Sequence, residues 1–468
     1  MIQTPWAVLR CKFKDDDSEP YGRQRYEDLF TSSGVGKLNM VDFFRDMSHG
    51  QLDLSGSRVF GWYTLDMNRS AYLAGLVPGL TEKEIAAVIG KARGDLIASA
   101  RLAASADLTK NGPFFSVVVC MNVPTDLFGG ATGAVCDDGR WPTDGTGADT
   151  VATGMSSMSP SLLGQEMGHV YGLAHSRADG STADYMDPWD VMSNAARFMS
   201  PHPNFTDLDV RARPVFRLGP GLNAANMAGR GWLDESRVWS TSNESFDTVV
   251  TLRPLHHRDL PGFLAARLGK FLVEFRIREG WDAALDRAAV LIHRFDDNQS
   301  YLMSANNGDQ DLVAGSVFGT TVTVSSLASI FTGATGVEVV EINANERFAK
   351  IRLVHRPAFE EPSLGGILFG GATRGGSGYI LVGEKGIRPI PPHSPLVRIL
   401  DQVAAYDSSE AISSVHLRTA VRRETLSTIA SLVENQMQTL QTFQQPAATP
   451  YSKEVLEGET KSYSPRSG

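Results

Sequence analysis

Residues 164–176 read GQEMGHVYGLAHS, and this stretch decides how the chain is interpreted. Side chains four residues apart on a helix lie side by side, so we expect Gln165 and His169 to project together. Gly172 is the kind of residue at which helices commonly end. A sharp turn at that glycine brings His175 toward the same point, and the stretch therefore predicts three convergent side chains.

The chemistry of these side chains predicts a metal site. The imidazole nitrogens of His169 and His175 are preferred zinc ligands, and the carboxamide oxygen of Gln165 is a neutral, weaker donor. Glu166 is adjacent on the helix, where a carboxylate can take a proton from a metal-activated water. We expect one zinc ion on Gln165, His169 and His175, with Glu166 as the general base of a hydrolysis.

The longer pattern Q-E-x-x-H-x-x-G-x-x-H-S over 165–176 resembles the signature of the metzincin zinc peptidases. In particular it is similar to the gametolysin and immune inhibitor A type, whose motif itself begins with glutamine. The run ADYMDPWDVMSN (183–194) resembles their Met-turn, with Met192 as the methionine beneath the metal. The run GPGLNAANMAGRGWLD (219–234) resembles the end of their catalytic domain, and the resemblance covers roughly residues 1–320.

This resemblance implies a zinc-dependent endopeptidase that hydrolyses peptide bonds in protein or peptide substrates. It also implies supporting roles near the substrate or behind the ligands for Gly172 and Tyr185. Some metzincins have a tyrosine after the Met-turn, but none follows Met192 here. The role of Tyr185 therefore stays open, and a hydrogen-bonded surface tyrosine is the simpler interpretation.

Gln165 stands where the commoner H-E-x-x-H pattern has histidine, and this leaves alternatives open. An amide oxygen weakens metal binding but keeps the charge of the site, because glutamine and histidine ligands are both neutral. On that interpretation Gln165 belongs to a working enzyme of gametolysin type. The alternatives are a catalytically inactive binding module with a metallopeptidase fold, and a structural surface protein in which the motif is only scaffold.

The composition excludes some classes of partner. The chain has 468 residues, a formal net charge of −9 and no basic block, which argues against nucleic acid. No apolar run approaches the roughly 18–20 residues that span a bilayer. The first residues, MIQTPWAVLRCKFKDDD, do not read as a signal peptide, although relatives of the resembling type are exported. Compartment, oligomeric state, activation step and cleavage preference stay open.

Three cysteines are too few for a disulfide-dense scaffold. Cys11 and Cys120 lie in apolar strand-like runs, so we expect buried free thiols. Cys136 is expected to lie in a glycine-rich loop, and either to be reactive or to pair with Cys120.

The organisation of the chain predicts an α+β fold. We expect a metzincin-like catalytic domain with a mixed sheet and long helices over 1–234, and a β-rich, sandwich-like domain over 235–360. A glycine-rich linker and helical segment follow over 361–445, in which residues 363–392 are expected to form a linker or a hairpin. The polar tail 446–468 is expected to be disordered. The turn FDDNQS (295–300) is expected to be solvated.

Individual elements follow from local patterns. The apolar spacing of 82–107 predicts an amphipathic helix, and FFSVVVCMNV (114–123) predicts a buried strand. Ser159 before Pro160 predicts a helix start with a serine cap. The strand 114–123 and the loop 125–140 are expected to form the edge on which an extended peptide lies.

Overall fold

A computed structural model describes residues 1–137, 156–193, 197–208, 212–319 and 334–356, together with the backbone of three strands between 367 and 390. The fold is α+β with several separate sheets, as the sequence predicts. Residues 1–319 and 335–355 belong to one compact unit, and the three strands between 367 and 390 belong to a second.

The helices of the described residues are α1 (Arg23–Phe30), α2 (Met40–Met47), α3 (Arg69–Tyr72), α4 (Glu82–Ala103), α5 (Ser105–Asn111), α6 (Pro160–Val170) and α7 (Ala224–Gly229). None of the helices in the described ranges is both long and apolar enough to cross a membrane.

The strands up to residue 239 are β1 (Ile2–Gln3), β2 (Trp6–Lys12), β3 (Leu52–Asp53), β4 (Arg58–Thr64), β5 (Ser116–Met121), β6 (Gly129–Gly130), β7 (Ala134–Asp137), β8 (Arg177–Ala178), β9 (Ser200–Pro201), β10 (Arg217–Leu218) and β11 (Val238–Trp239). The later strands are β12 (Phe246–Leu252), β13 (Ala265–Leu268), β14 (Phe271–Arg276), β15 (Ala289–Asp296), β16 (Gln299–Leu302), β17 (Val317–Gly319), β18 (Ala334–Asn343), β19 (Phe348–Arg356), β20 (Ile367–Thr373), β21 (Gly376–Gly383) and β22 (Gly386–Ile390).

A five-stranded mixed sheet in the order β4-β2-β5-β7-β6 carries the first part of the compact unit. Strands β4, β2, β5 and β7 are parallel, and the short edge strand β6 runs antiparallel to β7. Val118 and Cys120 of β5 join the core that contains Met167 of α6, whereas Val117 joins the core that contains Leu96 of α4. Helices therefore cover both faces of the sheet, which explains why β5 reads as a continuous apolar run.

The strand predicted over 114–123 is an interior strand, because β5 lies between β2 and β7. The edge belongs instead to β6, which comes from the loop predicted over 125–140. The expected serine cap of α6 is also wrong: the hydroxyl of Ser159 donates to the carbonyl oxygen of Val215 at 3.1 Å rather than accepting from the first turn.

Cys136 lies in a strand rather than in a loop. It occupies β7 beside Cys120 of β5, and both side chains are fully buried. Their sulfur atoms are 3.3 Å apart, and neither these two residues nor Cys11 forms a disulfide. The expected loop position of Cys136 is therefore wrong, because the strand that follows the glycines takes the residue into the core.

A six-stranded sheet in the order β11-β13-β14-β15-β16-β8 follows, beside a four-stranded sheet in the order β12-β19-β18-β17. Strand β8 comes from the segment before residue 234, yet it pairs with β16. Leu233 and Leu272, from either side of the predicted boundary, also share one core. The segments 1–234 and 235–319 therefore belong to the same compact unit.

The second unit contains a three-stranded antiparallel sheet of β20, β21 and β22. These strands occupy the start of the range 361–445, where the sequence predicts a glycine-rich linker or a hairpin, and their antiparallel pairing confirms the hairpin. The helical segment predicted after them and the tail 446–468 lie outside the described residues, as does Asn194 of the predicted Met-turn.

Candidate metal centre

Helix α6 holds the first half of the predicted motif. The helix packs against β6, β7 and α2, and its side chains Leu163 and Met167 are buried in the core. Gln165 and Glu166 are also largely buried, with 8% and 6% of their surface exposed. Two polar side chains are thus held inside a packed helix interface, where each needs a partner.

The structure brings His169 and His175 together. The centroids of the two imidazole rings are 4.7 Å apart, and the ring planes are inclined by 76°. Gly172 makes this possible, because its φ of +86° turns the chain out of α6 in a conformation that favours glycine. The residues that follow, 172–185, are called the ligand loop below.

Each imidazole has its Nδ1 atom engaged. His169 Nδ1 lies 2.8 Å from the carbonyl oxygen of Leu173, and His175 Nδ1 lies 3.2 Å from Oδ2 of Asp184. Both acceptors fix the proton on Nδ1, which leaves the lone pair on Nε2 in the neutral ring. Burial lowers the pKa of His175, aided by His169 and opposed by Asp184, so the neutral form that binds metals is favoured.

The carboxamide of Gln165 has a defined orientation. Its amide nitrogen faces the turn around Met192. There the nitrogen donates to the carbonyl oxygen of Ser193 at 2.8 Å and to that of Val191 at 3.1 Å. Two carbonyl acceptors require the nitrogen at this place. The amide oxygen of Gln165 therefore lies on the side of the carboxamide away from both carbonyls.

Glu166 lies against the edge strand β6. A Cβ atom added at Gly130 would be 2.6 Å from the backbone oxygen of Glu166 and 2.9 Å from Cβ of His169. Burial raises the pKa of the Glu166 carboxyl, and His169, Arg93 and the backbone N–H of Gly130 oppose that shift. A buried carboxyl with a raised pKa is suited to accept and return a proton.

Arg93 of α4 supports this edge from behind. Its guanidinium donates to the carbonyl oxygens of Leu127 and Phe128 at 2.9 and 2.6 Å. The cation therefore fixes the backbone just before β6. Gly129 leaves room for Arg93, and Gly130 keeps the strand close to α6.

Met192 lies beneath the helix, as the resemblance implies. Its side chain is fully buried, and its sulfur would be 2.7 Å from a Cβ atom at Gly168. The Met192 amide donates to Oδ1 of Asp190 at 2.6 Å, and its carbonyl oxygen accepts from the Ser176 amide at 2.9 Å. Met192 thus packs against α6 at Gly168 and joins the turn to the ligand loop.

Tyr185 is the hydrogen-bonded surface tyrosine that the sequence predicts, with 45% of its surface exposed, and it lies beside His175. Its hydroxyl lies 2.9 Å from Nε2 of His175, and the two ring centroids are 4.2 Å apart. Burial raises the pKa of Tyr185 to about 12, with Glu166 and Asp184 adding to the shift. The phenol is therefore protonated at neutral pH and donates to Nε2 of His175, so this nitrogen can hold an ion only after the phenol moves aside.

These donors suit a zinc ion. Two imidazole Nε2 atoms and one amide oxygen are neutral ligands, and three protein ligands are typical of catalytic zinc sites. Within the described ranges, no group of three or more His, Cys, Asp or Glu side chains is arranged to hold a metal ion. The candidate zinc ligands are two histidines and one amide. A third protein ligand is therefore present only if Gln165 coordinates the ion.

Sequence reasoning missed two residues that support the ligands. Asp184 holds the His175 ring and is itself bound by Arg177 through Nε at 2.8 Å. Burial alone would raise the pKa of Asp184, but the hydrogen bonds from Arg177 and His175 lower it. Gln299 donates to the carbonyl oxygen of His175 at 2.7 Å. Asp184 lies within the run 183–194 that resembles the Met-turn, so that resemblance could have indicated it. Gln299 lies in no recognisable motif.

Comparison with known proteins adds little to this geometry. No protein-family model matches the chain, and no curated protein matches it. Two crystal structures of wild-type OgpA from Akkermansia muciniphila align with 76% of this chain and with 94% and 93% of their own, at 12% identity. Their TM-scores of 0.29 and 0.27 are too low to support any conclusion about the fold or function of this chain.

Proposed function

We propose that the chain is a zinc-dependent endopeptidase of metzincin type, similar to the gametolysin and immune inhibitor A peptidases. The observation that carries the proposal is that the ring centroids of His169 and His175 lie 4.7 Å apart. Glu166 belongs to α6, the helix that carries His169. Nε2 of each histidine and the amide oxygen of Gln165 would hold the ion. The mixed sheet, the helix α4 and Met192 beneath α6 fit the arrangement that the resemblance implies.

Zinc, when bound, supplies Lewis acidity, which makes water more acidic and polarises a peptide carbonyl. The side chains of this chain then have separate tasks. Glu166 takes the proton of the attacking water on its carboxylate and returns it to the departing amine nitrogen. Leu173 and Asp184 hold the Nδ1 protons of the two histidines, and the surrounding core keeps bulk water from the buried face of Glu166.

The edge strand β6 supports a protein or peptide as substrate. It is the outer, antiparallel strand of the five-stranded sheet, and it lies directly beside Glu166. An extended peptide can add to such an edge through main-chain hydrogen bonds. A peptide bound along β6 would pass next to the carboxylate that moves the proton.

A catalytically inactive binding module is the second candidate. It is favoured by the amide at position 165, since a weaker first ligand lowers metal affinity. In that case the site would be retained for recognition of a protein or peptide without hydrolysis.

Metal analysis and proteolysis separate the two candidates. We expect the purified protein to hold about one zinc ion per chain and to lose it to a chelator. It should cleave a denatured protein only when zinc is bound. Glu166→Ala should lower the cleavage rate by at least about 100-fold and leave zinc content unchanged, because Glu166 is not a ligand. The exposed Glu244→Ala serves as the control. Zinc without cleavage in the parent would support the binding module, and absence of zinc would overturn both.

A further inference from the structure

The turn FDDNQS joins β15 to β16 and reaches the ligand loop. Asp297 and Asn298 form its two-residue connection, with φ values of +48° and +63°. Two consecutive left-handed residues are typical of a tight hairpin whose strands keep their register, here with Asp296 opposite Gln299. The hairpin is therefore a rigid element, and its tip has a defined position.

Three consecutive side chains of this hairpin each bind the ligand loop. The three contacts are Asn298 Nδ2 to the Gly172 carbonyl oxygen at 3.2 Å, Gln299 Nε2 to the His175 carbonyl oxygen at 2.7 Å, and Ser300 Oγ to Ser176 Oγ at 2.8 Å. The adjacent backbone continues the contact, because Tyr301 and Leu302 of β16 pair with Arg177 and Ala178 of β8. The loop that carries His175 is thus an added strand on this hairpin's sheet.

Gln299 occupies the central position among these contacts. Its amide nitrogen binds the main chain of His175, and the same nitrogen lies 3.5 Å from Oδ1 of Asp184. Asp184 in turn holds the His175 ring through Nδ1 at 3.2 Å. One side chain therefore reaches both the backbone of the ligand and the carboxylate that orients its imidazole.

We infer that Gln299 is a positioning residue of the metal centre, which acts by fixing His175 through the ligand loop. This inference rests on the proposed zinc site. It assigns a role in that site to a hairpin far along the chain from the motif. Substituting the partners that orient a metal ligand commonly lowers metal affinity by about 10- to 100-fold, and a hydrogen bond from a neutral amide belongs at the lower end.

Gln299→Met tests the inference, since methionine keeps the length of the side chain and removes its hydrogen bonds. Asn306→Leu is the matched control, because Asn306 Nδ2 also donates to a backbone carbonyl, that of Gly319, at 2.7 Å. We expect Gln299→Met to raise the zinc Kd about 10-fold and to lower kcat at saturating zinc with little change in KM. The control should keep the zinc Kd and the kcat of the parent, and the melting temperatures of the two metal-free variants should be similar.

Amide hydrogen exchange on the metal-free protein supplies a second readout. Gln299→Met should accelerate exchange in the ligand loop, and Asn306→Leu should not. If Gln299→Met keeps the zinc Kd, the kcat and the exchange pattern of the parent, the inference is overturned while the zinc site stands. If the parent binds no zinc, the proposed function fails, and unchanged exchange would then show that Gln299 does not fix the loop either.

Discussion

His169 and His175 have adjacent rings but are held in different ways. His169 belongs to α6, and its Nδ1 binds the carbonyl of Leu173 only four residues ahead. His175 lies beyond the helix, and its partners Asp184 and Gln299 are 9 and 124 residues away in the chain. One histidine is therefore placed by its own helix and the turn that ends it, and the other is placed by the tertiary fold.

This difference separates what a motif encodes from what a fold must supply. Helical spacing alone sets the direction of His169 relative to Gln165 and Glu166, so the α6 side of the site survives wherever the helix forms. The direction of His175 depends on Gly172 for the turn and on distant polar side chains for the final orientation. The two sides should consequently respond to different substitutions.

The largest effect is expected on the α6 side, from Gly130→Ala. The new Cβ atom would lie 2.6 Å from the backbone oxygen of Glu166 and 2.9 Å from Cβ of His169, so β6 or α6 must shift. A misplacement of about 1 Å at a catalytic group can lower the rate about 100-fold, and we expect a loss of that order in kcat/KM.

Gly94→Ala is the control, because a Cβ atom there meets nothing within 4 Å on α4. That variant should keep its activity and gain up to about 1 kcal/mol in the free energy of unfolding. Parental kcat/KM in Gly130→Ala would show that β6 does not constrain Glu166.

On the ligand-loop side, Asp184→Ala should raise the zinc Kd by about 10- to 100-fold. The carboxylate that orients His175 is removed, whereas the acceptor of His169 is a backbone carbonyl that no substitution removes. Competition with a zinc-sensitive dye measures the change.

Asp179→Ala is the matched control, because Asp179 lies in the same loop and is paired with Arg294 at 2.9 Å instead of with a histidine. If both variants lose affinity equally, the effect belongs to the loop as a whole rather than to the His175 ring.

The same division explains what could be predicted from the sequence. The course of α6, the turn at Gly172 and the burial of Met192 follow from local spacing and from the resemblance, and the structure places them accordingly. The sequence did not indicate that β6 rather than β5 is the edge, or that Gln299 reaches His175. Both depend on strand pairing between distant segments, which leaves no periodic signal in either segment.

The domain boundary expected at residue 234 shows the same limit. The type of secondary structure does change there, since strands dominate the described residues from 238 to 356. Pairing of β8 with β16 nevertheless joins the ligand loop to that region. A change in composition marks a change in element type. Residues between 250 and 353 form a core of their own, while others, such as Leu272, join the core of the first segment.

Gln165→His tests the residue at which α6 meets the turn around Met192. It has the smallest expected effect of these substitutions. Gln165 belongs to α6, and its amide nitrogen binds the carbonyls of Val191 and Ser193 on either side of Met192. Imidazole nitrogen is the better zinc donor, so we expect the zinc Kd to fall roughly tenfold. A neutral histidine has one N–H where glutamine offers two, so one of the two carbonyls loses its partner. That loss should cost about 1–3 kcal/mol in the free energy of unfolding of the metal-free protein.

The rate of cleavage at saturating zinc then distinguishes the two interpretations of Gln165. If the chain is a working enzyme adapted to an amide ligand, Gln165→His should keep or lower kcat on a denatured protein substrate. If the chain is an inactive module, the same change should raise cleavage from near zero, because it completes a three-ligand set while Glu166 is already in place. We expect activity before and after the change. A variant that binds zinc no more tightly than the parent would show that the side chain at position 165 does not face the ion.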